Sequence, residues 1–113
     1  MPSLGDRPTL DDLQRYVGEL EDERGFASQS VRDKCLLLGE ETGELFKSVR
    51  RAEGMAIDEE ACVRDVAHEL VDILIYVCAI ANRYGLRLED AFRAKETINA
   101  NRRWTVDRSS EPS

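Results

Sequence analysis

Residues 70–81, LVDILIYVCAIA, are apolar except for one charge, Asp72. A run of about 12 residues falls well short of the roughly 20 that span a bilayer, so it reads as a buried helix of a soluble protein. A carboxylate there is expensive: taking an ion out of water costs several kcal/mol even after relaxation unless a counter-charge meets it. Because the segment is apolar nearly all round, it is expected to be central and to be covered on several sides, more than three modest neighbours supply. A second copy of the chain is therefore expected against it.

The rest of the chain reads as helix, with no stretch of convincing two-residue alternation. The first helix is expected over about 10–24, capped by Thr9, with Leu10, Leu13, Val17 and Leu20 as its apolar stripe and Gly25 as its stop. The second begins near Ser28 or Ser30 and runs to about Arg51. Val31, Cys35, Leu38, Thr42, Leu45 and Val49 recur along it at three-to-four spacing, and Gly54 marks its exit. The third starts after Asp58 and runs to Tyr84, with Gly85 just beyond. The fourth covers about 89–103, with Ala91, Phe92, Lys95, Ile98 and Asn99 along one side. Short connections between them favour an all-α antiparallel bundle of about four helices, completed by dimerisation. Residues 1–8 are a lead, 9–104 one domain, and 105–113 a polar tail expected to be disordered.

With 16 basic and 23 acidic residues the net charge is −7, which argues against a nucleic-acid backbone as partner. An anionic small molecule remains possible if a metal and a few local cations bridge it. The N-terminal stretch lacks the charged-then-apolar pattern of a signal peptide. Cys35, Cys62 and Cys78 are odd in number without CxxC spacing, and read as reduced, mostly buried thiols. The expectation is a cytoplasmic protein with no membrane partner.

Two acidic pairs stand out. Residues three apart share a helix face, so Glu41 and Glu44 point together, as do Glu69 and Asp72. Glu41 lies four after Leu37, three after Leu38 and four before Leu45; Glu69 lies three after Val66 and four before Ile73. Both pairs thus border apolar stripes and look toward the seam between the second and third helices. A lone Glu-x-x-Glu is ordinarily a solvated face, and an inward carboxylate can simply pair with an Arg. Two inward pairs on adjacent helices instead suit Mg²⁺, or Mn²⁺, which takes hard oxygen ligands and leaves positions for water or phosphate. Glu40 is placed to add a fifth oxygen or to act as a base. A di-iron site would need Glu-x-x-His from two helices, and the single histidine, His68, precedes its Glu and points about 100° away round the helix.

Glu-x-x-Glu, a gap at 45–68 and Glu-x-x-Asp resemble the signature of the MazG-like all-α nucleotide pyrophosphohydrolases. The flanks LLLGEETGELFK (36–47) and HELVDILIYV (68–77) are similar too, as is Lys95-x-x-x-Asn99-x-x-Arg102 followed by Arg103-Trp104. The resemblance spans about 10–104. Thr42, where relatives often carry a β-branched apolar residue, and Arg103 before Trp104 are mild departures. The resemblance implies cleavage of a nucleoside triphosphate (NTP or dNTP) between the α- and β-phosphates, giving monophosphate and pyrophosphate. It implies Glu41, Glu44, Glu69 and Asp72 as metal ligands and a water activated by Glu40 or Glu41. Tyr76, Lys95, Asn99 and Arg102 would contact phosphate or sugar, with Phe26 and Trp104 as candidates to stack a base. For Tyr76 a core aromatic, and for Lys95 and Arg102 solvated charge, are the plainer readings. Lys47, Arg50 and Arg51 read as a solvated basic face. The rivals are a phosphoribosyl-ATP pyrophosphohydrolase and a non-catalytic metal-binding helical dimer with a regulatory role. The assembly is expected to be a homodimer or homotetramer.

Overall fold

A computed structural model describes residues 2–54 and 59–102. It is all-α: α1 (Leu10–Arg24), α2 (Val31–Gly54), α3 (Glu59–Arg83) and α4 (Leu88–Asn101). The helix ends follow local chemistry. Thr9 caps α1 through its side chain, which accepts from the Asp12 N–H at 3.1 Å, while Asp12 accepts from the Thr9 N–H at 2.9 Å. Ser30 and Asp33 repeat the same reciprocal pair at the start of α2. Gly25 and Gly85 close α1 and α3 in the left-handed region, at φ 77° and 65°, where a residue without Cβ is free of strain. The Phe26 and Leu86 N–H groups then donate back to the carbonyls of Glu21 and Ala81.

α2 and α3 form the main hairpin, α1 lies across α3, and α4 docks on α1. The small core joins Val17 of α1 to Cys78 and Ala79 of α3, with Leu13, Ile75 and Leu88 packed around it. A polar clasp holds the remaining corner. The buried Gln14 amide donates to Asn82 Oδ1 and to the Leu86 carbonyl, and its Oε1 accepts from the Leu88 N–H at 2.8 Å. Residue Arg87 gives α4 no side-chain cap of its own, so Gln14 supplies one from a distant helix.

Several expectations need correction. α2 runs on through Gly54, and α4 ends at Asn101. Cys35 is exposed, whereas Cys78 is buried, because Cys35 faces away from the hairpin seam. The apolar run of α3 is only half covered: Cys78, Ala79 and Ala81 are buried, but Leu70, Val71 and Leu74 are 51%, 53% and 38% exposed. Burial follows α1, which reaches only the C-terminal part of α3. On α4, Phe92 and Ile98 are exposed and no residue is buried. The side chain of Cys62, together with Arg103, Trp104 and the tail at 105–113, lies outside the described residues. No described helix is long and apolar enough to cross a membrane.

Candidate functional site

The α2–α3 hairpin brings Glu41, Glu69 and Asp72 together. One carboxylate oxygen from each lies within 4.8 Å of the other two, close enough for a single ion to reach all three. Glu41 and Glu69 are half-buried, and like charges crowded at low dielectric resist ionisation. Glu41 accordingly has its pKa pushed up to about 7, first by a hydrogen bond with Glu69, then by burial, then by the charges of Glu69, Asp72 and Glu44. Glu44 itself is exposed and stands outside the triad, contributing through its charge.

The donor set fits a hard divalent cation on a structural ground. The Oε2 of Glu69 is buried with no hydrogen-bond partner among the described residues. An orphaned buried oxygen carries a desolvation cost of about 1–3 kcal/mol, more when charged. A cation at the triad would remove that cost and the repulsion together.

Beside the triad lies a cavity of about 210 Å³. Asp72 and Tyr76 line one side, Phe26, Gln29 and Lys34 another, and Leu20, Leu37 and Ile75 supply apolar wall. Tyr76 follows Asp72 by one helical turn. Burial, then the charges of Glu41, Asp72 and Glu40, hold its pKa above that of an ordinary phenol, so its hydroxyl stays a donor. Phe26 reaches the cavity because the α1 terminus turns back on itself. Arg83 fixes that loop, donating to the Phe26 and Gln29 carbonyls at 3.1 and 2.9 Å.

Behind the cavity is a network of charges that the sequence analysis missed. Arg83 meets Glu21 with two parallel bonds, Nη1–Oε1 at 2.9 Å and Nη2–Oε2 at 2.7 Å. Lys34, 4% exposed, reaches the same Oε2 at 3.2 Å. Burial pushes the Glu21 carboxyl up, but the hydrogen bonds and charges of Arg83 and Lys34 together outweigh it and hold its pKa below the usual range. Spacing alone puts Lys34, seven residues before Glu41, and Arg83, seven after Tyr76, on the faces of those residues, but it does not pair either with Glu21.

The other expected residues are dispersed. Glu40 is exposed beside the triad, and its charge is felt at Tyr76. Lys95 and Arg102 are exposed and Asn99 is half-buried, on or just past a helix that docks on α1; none of the three lines the cavity. The cavity beside the triad is lined without them. His68 and Arg51 are exposed, and Lys47 and Arg50 border a shallow surface hollow with Phe46.

The model of the MazG nucleotide pyrophosphohydrolase domain matches residues 29–99, well over half of the chain. The chain belongs to this family. The matched segment of the MazG domain contains the α2–α3 hairpin with all three triad residues, and leaves α1, which carries Glu21, outside it. No curated protein matches the chain.

Proposed function

We propose that this MazG domain hydrolyses a nucleoside triphosphate, NTP or dNTP, at the α–β phosphate bond, giving monophosphate and pyrophosphate with Mg²⁺ as cofactor and Mn²⁺ as a substitute. The observation that carries the reading is the triad: three carboxylate oxygens within 4.8 Å, with a buried Glu69 oxygen that has no partner among the described residues, on the family-matched hairpin. Glu41, Glu69 and Asp72 would hold the ion, with Glu44 at the rim to join through water. The ion, when bound, supplies charge neutralisation to the phosphate oxygens and to the developing charge at the α-phosphorus.

The remaining chemistry falls to the chain. With Glu41 committed to the triad, Glu40 is the carboxylate left to orient the attacking water and take its proton. The Tyr76 hydroxyl donates to an α-phosphate oxygen. The nucleoside occupies the cavity beyond Asp72, where Phe26 and the aliphatic wall exclude water, and pyrophosphate departs on the opposite, solvent side.

Leu70, Val71 and Leu74 leave one face of α3 open. Covering the half of each side chain still exposed is worth about 1 kcal/mol apiece, and this supports a homodimer or homotetramer as the working form. Light scattering on the purified chain tests that, a monomer at micromolar concentration counting against it. A cytoplasmic setting suits the free thiols of Cys35 and Cys78.

The reaction is tested by identifying products by phosphorus NMR from a panel of NTPs and dNTPs, with Mg²⁺ and with chelator. Metal-dependent monophosphate plus pyrophosphate is the expected result. Diphosphate plus orthophosphate would remove the α–β assignment. Turnover of phosphoribosyl-ATP alone, or ion binding without any turnover, would move the function to one of the two rival readings.

A further inference from the structure

We propose that Lys34 reads the nucleobase, favouring bases with a carbonyl at the edge farthest from the sugar over bases with an amino group there. The inference rests on the reading of the triad and cavity as a nucleotide site, and it names the substrate class: uracil, thymine, guanine or hypoxanthine ahead of cytosine or adenine.

The first ground is position. Lys34 and Glu41 share a face of α2 seven residues apart, about 10.5 Å along the axis. A nucleotide whose α-phosphate lies at the triad and whose base enters the cavity turns its distal edge toward Lys34. The second is hydrogen-bond capacity. An ammonium has three donors and no acceptor. One donor is directed at Glu21 Oε2. The nitrogen otherwise sits over the faces of Phe26, at 5.1 Å from the ring centroid, and Tyr76, at 5.6 Å. Ring faces stabilise a cation but are weaker partners than a carbonyl oxygen, so donor capacity remains toward the cavity.

The third ground is that the acceptor behind the cavity is already taken. Glu21 receives two bonds from Arg83 as well as the Lys34 ammonium, so it is poorly placed to receive an amino N–H. Its single negative charge faces two cations, leaving the back of the cavity net positive. Arg24 adds a further donor-only group to the lining, which elsewhere holds the Gln29 amide and, at the triad end, Asp72. A 4-oxo or 6-oxo edge completes this arrangement; a 4-amino or 6-amino edge would set N–H against N–H and leave donors unpaired, a strong basis for rejection.

The test compares dUTP with dCTP, and dGTP with dATP, under saturating Mg²⁺. The oxo member of each pair should have the higher kcat/KM, by about ten- to a hundredfold as expected of a hydrogen bond to a charged group. Lys34→Met should bring the oxo-to-amino ratio of kcat/KM close to one, whatever its effect on the absolute rates, and Lys34→Arg should restore part of the preference. Equal rates within the wild-type pairs would overturn the inference without any variant. So would a wild-type oxo-to-amino ratio retained in a folded Lys34→Met protein, because the preference would then be read by another group. If no nucleotide is turned over, the reaction proposed above fails. The base reading is then decided by equilibrium affinity for uridine against cytidine triphosphate analogues that resist hydrolysis. A preference for the uridine compound sustains the base reading, and equal affinity or none overturns it.

Discussion

The two ends of the α2–α3 seam hold comparable numbers of charges in opposite conditions. At one end Glu21, Lys34 and Arg83 satisfy each other, with Glu21 held below its usual pKa. At the other, Glu41, Glu69 and Asp72 repel each other, with Glu41 pushed up to about 7 and one Glu69 oxygen left without a partner among the described residues. The first arrangement finds its counter-charges within the folded chain and holds the α1–α2 loop through Arg83. The second sets like charges around Glu41, which is the ground for proposing a cation there. The two ends thus differ in whether the protein itself supplies the counter-charge.

The contrast is broken most severely at the acid end. Asp72→Asn and Glu41→Gln should each reduce nucleotide hydrolysis to background, while in chelator both variants should melt higher than wild type because like-charge repulsion is relieved. Unfolding of both variants would mean that the carboxylates are structural. At the satisfied end the sign reverses. Arg83→Met removes two bonds to Glu21 and three to backbone carbonyls. It should destabilise the chain by about 3 kcal/mol in urea titrations, as expected for breaking a largely buried pair. A loss below about 1 kcal/mol would place the network among ordinary surface pairs.

A pH series sharpens the comparison. Glu41 has its pKa raised on folding, so in metal-free protein its proton is bound more tightly in the native state than in the unfolded one. Its contribution to stability is full below the ordinary carboxylate range and is lost as pH rises toward about 7. Glu21, with its pKa lowered, contributes stability that is present above its unfolded value and lost on acidification. Melting temperature in chelator should therefore decline between about pH 5 and pH 8 in wild type, and Glu41→Gln should flatten that decline while leaving the acid limb. The smallest effect expected is at Thr9→Ala, about 1 kcal/mol, with activity retained, since the cap is remote from both ends of the seam.

The helix limits were legible because their causes are local: Thr9, Gly25 and Gly85 act within a few residues of themselves. Helical phase likewise brought Glu41, Glu69 and Asp72 to one seam, but it pointed Glu44 inward as well, and Glu44 is exposed. The Glu21–Lys34–Arg83 network was not legible, since pairing residues 62 and 13 positions apart depends on how α1 and α2 pack against α3. Cys35 shows the limit of phase alone. It keeps the three-to-four spacing of the α2 stripe yet is exposed, because no described helix covers that side of α2. Lys95 and Asn99 share a face as spacing requires, but α4 docks on α1, and sequence spacing says nothing about which neighbour a helix chooses.

The most direct test of an acid end waiting for its counter-ion is calorimetric titration of Mg²⁺ or Mn²⁺ into the metal-free chain near pH 7, in two buffers of different ionisation heat. With Glu41 titrating at about 7, binding should release a fraction of a proton, and both the heat and the proton release should vanish in Asp72→Asn. Absence of binding to the wild-type chain, or binding that persists unchanged in Asp72→Asn, would contradict the assignment of the triad as the cation site.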